Sequence, residues 1–290
     1  MGAPARLERS TGRHALVDDI PFVLPVACSE SPALFAVFRI NADKAQSLLP
    51  GNELFPVRLW KSGLLVVSVM DYRVTNIGRY IEFSVAIACT MGKSRPSRLL
   101  PLLLPGLYRT GQFVVDLPVS SEISVKGGKG IWGMPKVQRS IDYQISDKTV
   151  SSQYDVDGQL GVRITIPRPP SAWFPLSISA ANYCAFRGMI WRSVIYFASK
   201  AGFTFFPKGA ELLIGDHPSV RPLKTLEIQP QPLFVAFIPQ AHGVLDDHLE
   251  SWFYSSSNPI THAPEGLQSV VALGESETWL PPPTAHGRQQ

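Results

Sequence analysis

Gly128-Lys129-Gly130-Ile131-Trp132-Gly133-Met134-Pro135-Lys136 is the stretch on which the reading of this chain turns. Its first six residues match the glycine pattern of dinucleotide-binding loops letter for letter. That pattern works only with a strand before it and a helix after it, so that a helix N-terminus meets the pyrophosphate. Here Pro135 follows closely, and Ile141, Tyr143 and Ile145 then alternate as in a strand. The glycines therefore read as a turn. What remains is Lys136, placed directly after a proline and flanked by Trp132, Met134 and Val137. A strand-edge lysine keeps its ammonium in water. A lysine enclosed by apolar groups is instead a desolvated amine, because burial disfavours the charged form, and a free amine attacks carbonyls. The residues by themselves leave both readings open.

Working outward, strand-like runs recur on both sides. Upstream lie Leu34 to Ile40, Leu64 to Tyr72, Tyr80 to Met91 and Thr110 to Val119; downstream lie Ser140 to Ser146, Ser151 to Val156 and Leu160 to Ile166. Asp157-Gly158 and Arg187-Gly188 mark hairpin turns, the second joining Ala181 to Phe186 with Met189 to Phe197. Leu223 to Pro230 and Leu233 to Ile238 add two more strands. Helices are few: Asn41 to Leu49, opened by an N-cap residue and closed by Pro50-Gly51, and Ser120 to Lys126. Val194 to Ala201 fits either state. The 26 prolines and 22 glycines are spread throughout, as suits many short strands. One β-dominated domain over 20–280 is expected, with disordered ends at 1–19 and 281–290.

Composition excludes several function classes. A net charge of +4, with its basic residues scattered, offers no nucleic-acid footprint. The most apolar run, Leu99 to Leu107, is broken by Pro101 and Pro105 and is too short to span a bilayer. The three cysteines lie far apart, which points to a reducing, cytoplasmic setting. A charged fraction of only 17% suits extensive interfaces. His242, Asp246, Asp247 and His248 form a set that a metal could use, yet the segment reads better as a solvated turn. No metal is expected.

The lysine stretch resembles the active-site motif of the acetoacetate decarboxylase family, a glycine-led helix running into an apolar residue, Pro and Lys. A second element, Gly78-Arg79-Tyr80-Ile81-Glu82, is similar to that family's Gly-x-Tyr-x-Glu segment at matching separation. The resemblance covers roughly Phe35 to Ile166. It implies an α+β, β-dominated fold: a mostly antiparallel sheet closing into a cone-like β-barrel with a few short helices, in a ring-like homo-oligomer. It also implies catalytic roles for Lys136 and Glu82, with Tyr80, Trp132 and Met134 lining the substrate pocket. Lys136 would condense with a small keto substrate, without metal or organic cofactor, and the iminium would draw electrons from the adjacent C–C bond. Acetoacetate decarboxylase is a standing example of a lysine perturbed by desolvation or a neighbouring cation.

The chain departs from the family pattern where a small acidic substrate would be held. The family's second lysine is replaced by Val137, its other glutamate falls near Val67 or Ser68, and its N-terminal arginine near Ser31. Arg73, Arg79 and Arg139 are the candidate substitutes. These changes imply decarboxylation of a β-keto acid other than, or larger than, acetoacetate. Two alternatives stand beside it: an aldolase–dehydratase using the same lysine, and a β-barrel that binds a small ligand without chemistry.

Overall fold

The computed structural model describes residue 7 and residues 12–97, 99–170 and 174–256. The chain opens with a hairpin, β1 (Arg13–Val17) and β2 (Ile20–Leu24), followed by the long β3 (Val26–Asn41). Then come α1 (Ala42–Gln46), β4 (Leu54–Pro56), β5 (Ser62–Tyr72), β6 (Val74–Thr75) and β7 (Tyr80–Met91). A one-turn α2 (Leu100–Leu103) precedes β8 (Gly111–Val119), α3 (Glu122–Trp132) and β9 (Lys136–Gln138). A second sheet follows, of β10 (Ser140–Ile141), β11 (Gln144–Ile145), β12 (Thr149–Val156) and β13 (Gln159–Pro167). It is completed by β16 (Glu211–Ile214), which follows the long pair β14 (Phe174–Phe186) and β15 (Met189–Phe205). The short α4 (Arg221–Lys224), β17 (Phe234–Leu245) and β18 (Glu250–Phe253) end the described chain.

Seven strands close a barrel in the order β7-β5-β3-β17-β15-β14-β8, with β8 pairing back onto β7. Six of these pairings are antiparallel; β8 and β14 run parallel, meeting only at Gln112↔Asn182 and Phe113↔Tyr183. Beyond that contact the same flank of β8 is taken up by β9, also parallel, from Leu117↔Lys136 to Val119↔Gln138. Lys136 thus enters the wall where β14 leaves it.

Side-chain alternation along β5 explains why its run is apolar throughout. Leu65, Val67 and Val69 face outward into a core shared with Tyr154, Val162 and Ile164 of the second sheet, while Ser68, Met70 and Tyr72 face the barrel interior. A strand buried on both faces loses the polar half of its pattern. Both predicted hairpin turns have two consecutive positive φ angles, 51° and 77° at Asp157-Gly158 and 50° and 77° at Arg187-Gly188. Those are the values that a two-residue turn matched to strand twist requires.

Four expectations are corrected. The glycines of 128–133 are helical rather than a turn, except Gly133, which caps α3 at φ 62°. Leu223 to Pro230 is no strand: α4 starts before it, with Pro222 in its first turn, where proline's missing N–H costs nothing. Ser140 to Ser146 is split into β10 and β11, because Asp142 turns aside to accept from the Gln153 N–H and to hold Gln144. The expected disordered N-terminal end meets a hairpin from Arg13 onward, anchored by Phe22. The predicted end at 281–290 lies outside the described residues.

Candidate active site

The helix α3 is built against its own propensities. Glycine in a helix costs up to about 1 kcal/mol relative to alanine, and α3 holds three. Each lets something approach. A Cβ on Gly127 would stand 2.7 Å from Phe22, and one on Gly130 would stand 2.5 Å from Val17, so these two glycines seat the N-terminal hairpin. A Cβ on Gly128 would meet the methylene stem of Lys136, at 2.8 Å from Cε. The glycine pattern is therefore a packing device that lays the helix along the lysine. At the other end Ser121 caps the helix, its Oγ accepting from the Ser124 N–H.

Lys136 is 5% exposed, its side chain directed into the barrel. Its Nζ stands 2.7 Å from Glu82 Oε2 on β7 and donates to Ser124 Oγ on α3 at 2.9 Å. The Tyr80 ring lies beneath, 5.2 Å from Nζ to the ring centroid. Tyr80 stacks on Tyr72 at 4.5 Å, and the Tyr72 hydroxyl donates to Glu82 Oε1 at 3.5 Å. Burial, reinforced by the Glu82 carboxylate, holds both phenols well above the ordinary tyrosine value, so both stay protonated hydrogen-bond donors. Burial likewise pushes the thiol of Cys28, on the same cavity, up to about 11.

These groups share a cavity of about 110 Å³. Phe35, Met70, Met134 and Phe197 supply its apolar wall. Among the described residues no group of three potential metal ligands occurs. In the segment from His242 to His248, Asp246 accepts from the His248 N–H and Asp247 pairs with Arg13.

The sequence profile of the acetoacetate decarboxylase family matches residues 8–173. The chain belongs to the acetoacetate decarboxylase family. The fold agrees with that membership. An acetoacetate decarboxylase from Legionella pneumophila superposes with a TM-score of 0.54 at 14% identity, over 76% of this chain and 84% of that one. The enduracididine biosynthesis enzyme MppR, complexed with pyruvate, superposes with a TM-score of 0.57 at 14% identity, over 80% and 91%. A further acetoacetate decarboxylase structure gives 0.55 at 15%, over 79% and 89%. A search of curated proteins finds no match.

Against the family pattern, the residues singled out in the sequence separate. Lys136, Glu82, Tyr80 and Met134 all line the cavity. Trp132 does not: it is buried behind the wall with Cys184, and its indole N–H donates to the Asp246 carbonyl at 3.0 Å. Val137 is also outside the lining, because strand alternation turns it away from the face that carries Lys136. Of the positions where the family has acids or arginine, Ser68 faces the cavity opposite Ser84, whereas Ser31 is buried with its hydroxyl donating to the Ser29 carbonyl.

None of the three candidate arginines reaches the cavity. Arg73 and Arg79 are held by Asp71, at 3.0 and 3.1 Å, on the outward face of β5. Arg139 bonds to the Gln138 carbonyl at the surface. Among the described residues Lys136 is the one cationic side chain in the lining. Sequence reasoning missed Ser124, Tyr72, Gln112 and Asn182. Tyr72 had a signal, since it pairs with Tyr80 across β5 and β7; the others are ordinary polar residues until the barrel closes.

Proposed function

We propose that this chain is a Schiff-base lyase that decarboxylates a β-keto acid other than, or larger than, acetoacetate. The observation that carries the reading is the amine of Lys136, enclosed in a mainly apolar cavity and in contact with a carboxylate and a hydroxyl. Lys136 passes a proton to Glu82 and its nitrogen adds to the ketone carbon. The carbinolamine loses water as the proton returns, and a C=N⁺ bond forms. Electrons of the adjacent C–C bond flow into that iminium, carbon dioxide departs and a neutral enamine remains. Protonation at carbon restores the iminium, with a proton taken up from water and relayed by Glu82 or the Tyr72 hydroxyl. Water then hydrolyses it, freeing product ketone and Lys136. The first transfer, from Lys136 to Glu82, runs over a contact of 2.7 Å, within hydrogen-bond reach. Ser124 holds the nitrogen in line, and Tyr80 offers its ring face to the cation.

The absence of a guanidinium from the described lining favours a second reading, in which the iminium serves condensation and dehydration and no carboxylate needs to be held. MppR, of the same fold, has been seen with the condensation product of pyruvate and imidazole 4-carboxaldehyde. The proposal includes self-association of the chain, which light scattering would test by returning more than a single-chain mass.

The deciding experiment is borohydride trapping with a panel of keto compounds, read by intact mass. An adduct is expected in the wild type and none in Lys136→Ala. No wild-type adduct, or an adduct unchanged in the variant, removes the lyase reading as stated. Carbon dioxide release then separates decarboxylation from condensation.

A further inference from the structure

Part of the cavity has no role in this chemistry. Gln112 and Asn182 face each other across the parallel junction of β8 and β14, and both line the cavity. The Gln112 Nε2 donates to Asn182 Oδ1 at 2.8 Å. That bond uses one donor and one acceptor of the pair and leaves a carbonyl oxygen on Gln112 and an amide NH₂ on Asn182. Exchanging oxygen and nitrogen in both side chains reverses the bond but leaves the same complement, one acceptor beside one donor group. Two amides facing a cavity walled by Val114, Ile178 and Ala180 call for a partner.

Resting on the reading of Lys136 as the amine that meets a ketone, we propose that Gln112 and Asn182 form a second subsite. It binds a neutral group that both donates and accepts, a hydroxyl or carboxamide, at the end of the substrate remote from the ketone. Charge and position narrow the ligand. A carboxylate would gain the NH₂ but face the carbonyl oxygen beside it, whereas a hydroxyl satisfies both at once. Gln112 stands five residues along β8 from Leu117, the register partner of Lys136, and the bulge between Val114 and Asp116 takes up one of them, which leaves about 13 Å of strand. A four-carbon keto acid held at Lys136 does not extend to it. The subsite therefore selects a longer chain with a polar terminus, which gives the departure from an acetoacetate-type site a positive content.

The bland role for such a pair is to staple a junction that has only two register pairs. A staple would alter stability but not discriminate among ligands. The test compares methyl decyl ketone with its ω-hydroxy and ω-carboxylate counterparts. Half-saturation is measured by borohydride-trapped adduct in the wild type and by calorimetry in Lys136→Ala. The ω-hydroxy ketone is expected to be favoured about tenfold over both others, the worth of two neutral hydrogen bonds. Gln112→Met and Asn182→Leu, each checked for folding by its melting temperature, should bring that ratio close to one. Gln112→Glu should move the preference to an ω-ammonium ketone. Equal half-saturation in the wild type, a preference that survives both substitutions, or no binding of the ω-hydroxy ketone by either route overturns the subsite. Failure of every ketone to form an adduct overturns the lyase reading instead, and the calorimetric ratio still decides the subsite.

Discussion

At the scale of single residues, the position of Lys136 depends on what its neighbours lack. Gly128 leaves room for the lysine stem, and the two partners of the amine, Glu82 and Ser124, approach from different elements. Gly128→Ala should therefore push the stem aside and lower the rate of adduct trapping at least tenfold, while the melting temperature falls by only a few degrees, roughly 1 kcal/mol. A trapping rate equal to wild type would mean that the stem relaxes freely. The cysteines allow a second test. Burial raises Cys28 to about 11 and Cys184 to about 12, so at neutral pH almost no thiolate is present at either. Alkylation of the folded protein by iodoacetamide, followed by mass, should be slow at pH near 7 and quicken about tenfold per unit of pH until the thiols titrate. Rapid labelling of Cys28 at neutral pH would contradict the environment described for it.

Among the elements, the N-terminal hairpin and α3 act as one unit. Phe22 is 2% exposed and rests on Gly127, and Val17 rests on Gly130, so the hairpin presses the helix towards the lysine it must flank. Phe22→Ala should cost about 3 kcal/mol in stability, as large-to-small changes in cores do, and should also slow trapping at Lys136 in the molecules that remain folded. A loss of stability with unchanged trapping would uncouple hairpin from site. This coupling was not legible in the sequence. The strands were, because their apolar runs and the turns at Asp157-Gly158 and Arg187-Gly188 follow from local geometry. So was Lys136, through a motif whose residues are contiguous. The glycine-rich segment read as a turn because propensity is a local quantity, whereas its helix is held by tertiary contacts 100 and more residues earlier in the chain. The family resemblance places Trp132 in the pocket. The backward turn at Gly133 puts it behind the wall, and no pattern of residue types announces which side of a wall an indole will take.

For the whole molecule, the interface between barrel and second sheet holds a buried acid. Asp116 lies on β8 and accepts a hydrogen bond from the Tyr154 hydroxyl of β12. Burial raises its carboxyl above the ordinary 3.8, with the Tyr154 bond pulling weakly the other way. The raised group favours folding fully below its ordinary value, and that contribution is lost as pH climbs through the folded value. Wild-type stability should therefore decline relative to Asp116→Asn as pH rises above about 4, followed as urea midpoints. Parallel curves for the two proteins would remove Asp116 as the cause.

The closed barrel of seven strands has one more consequence, which is a matter of parity. Strands that alternate in direction around a ring can close only if their number is even. With seven, one pair of neighbours must run the same way, and that pair is β8 and β14. Parallel neighbours cannot be joined by a hairpin, so the chain must leave β8, travel and come back. Residues 120–170 belong to that excursion, and they contain α3, β9 with Lys136, and β10 to β13. Lys136 therefore lies on the detour that an odd count of strands imposes. A descendant that gained or lost one barrel strand would have no need of the detour, and nothing in its topology would keep a lysine there.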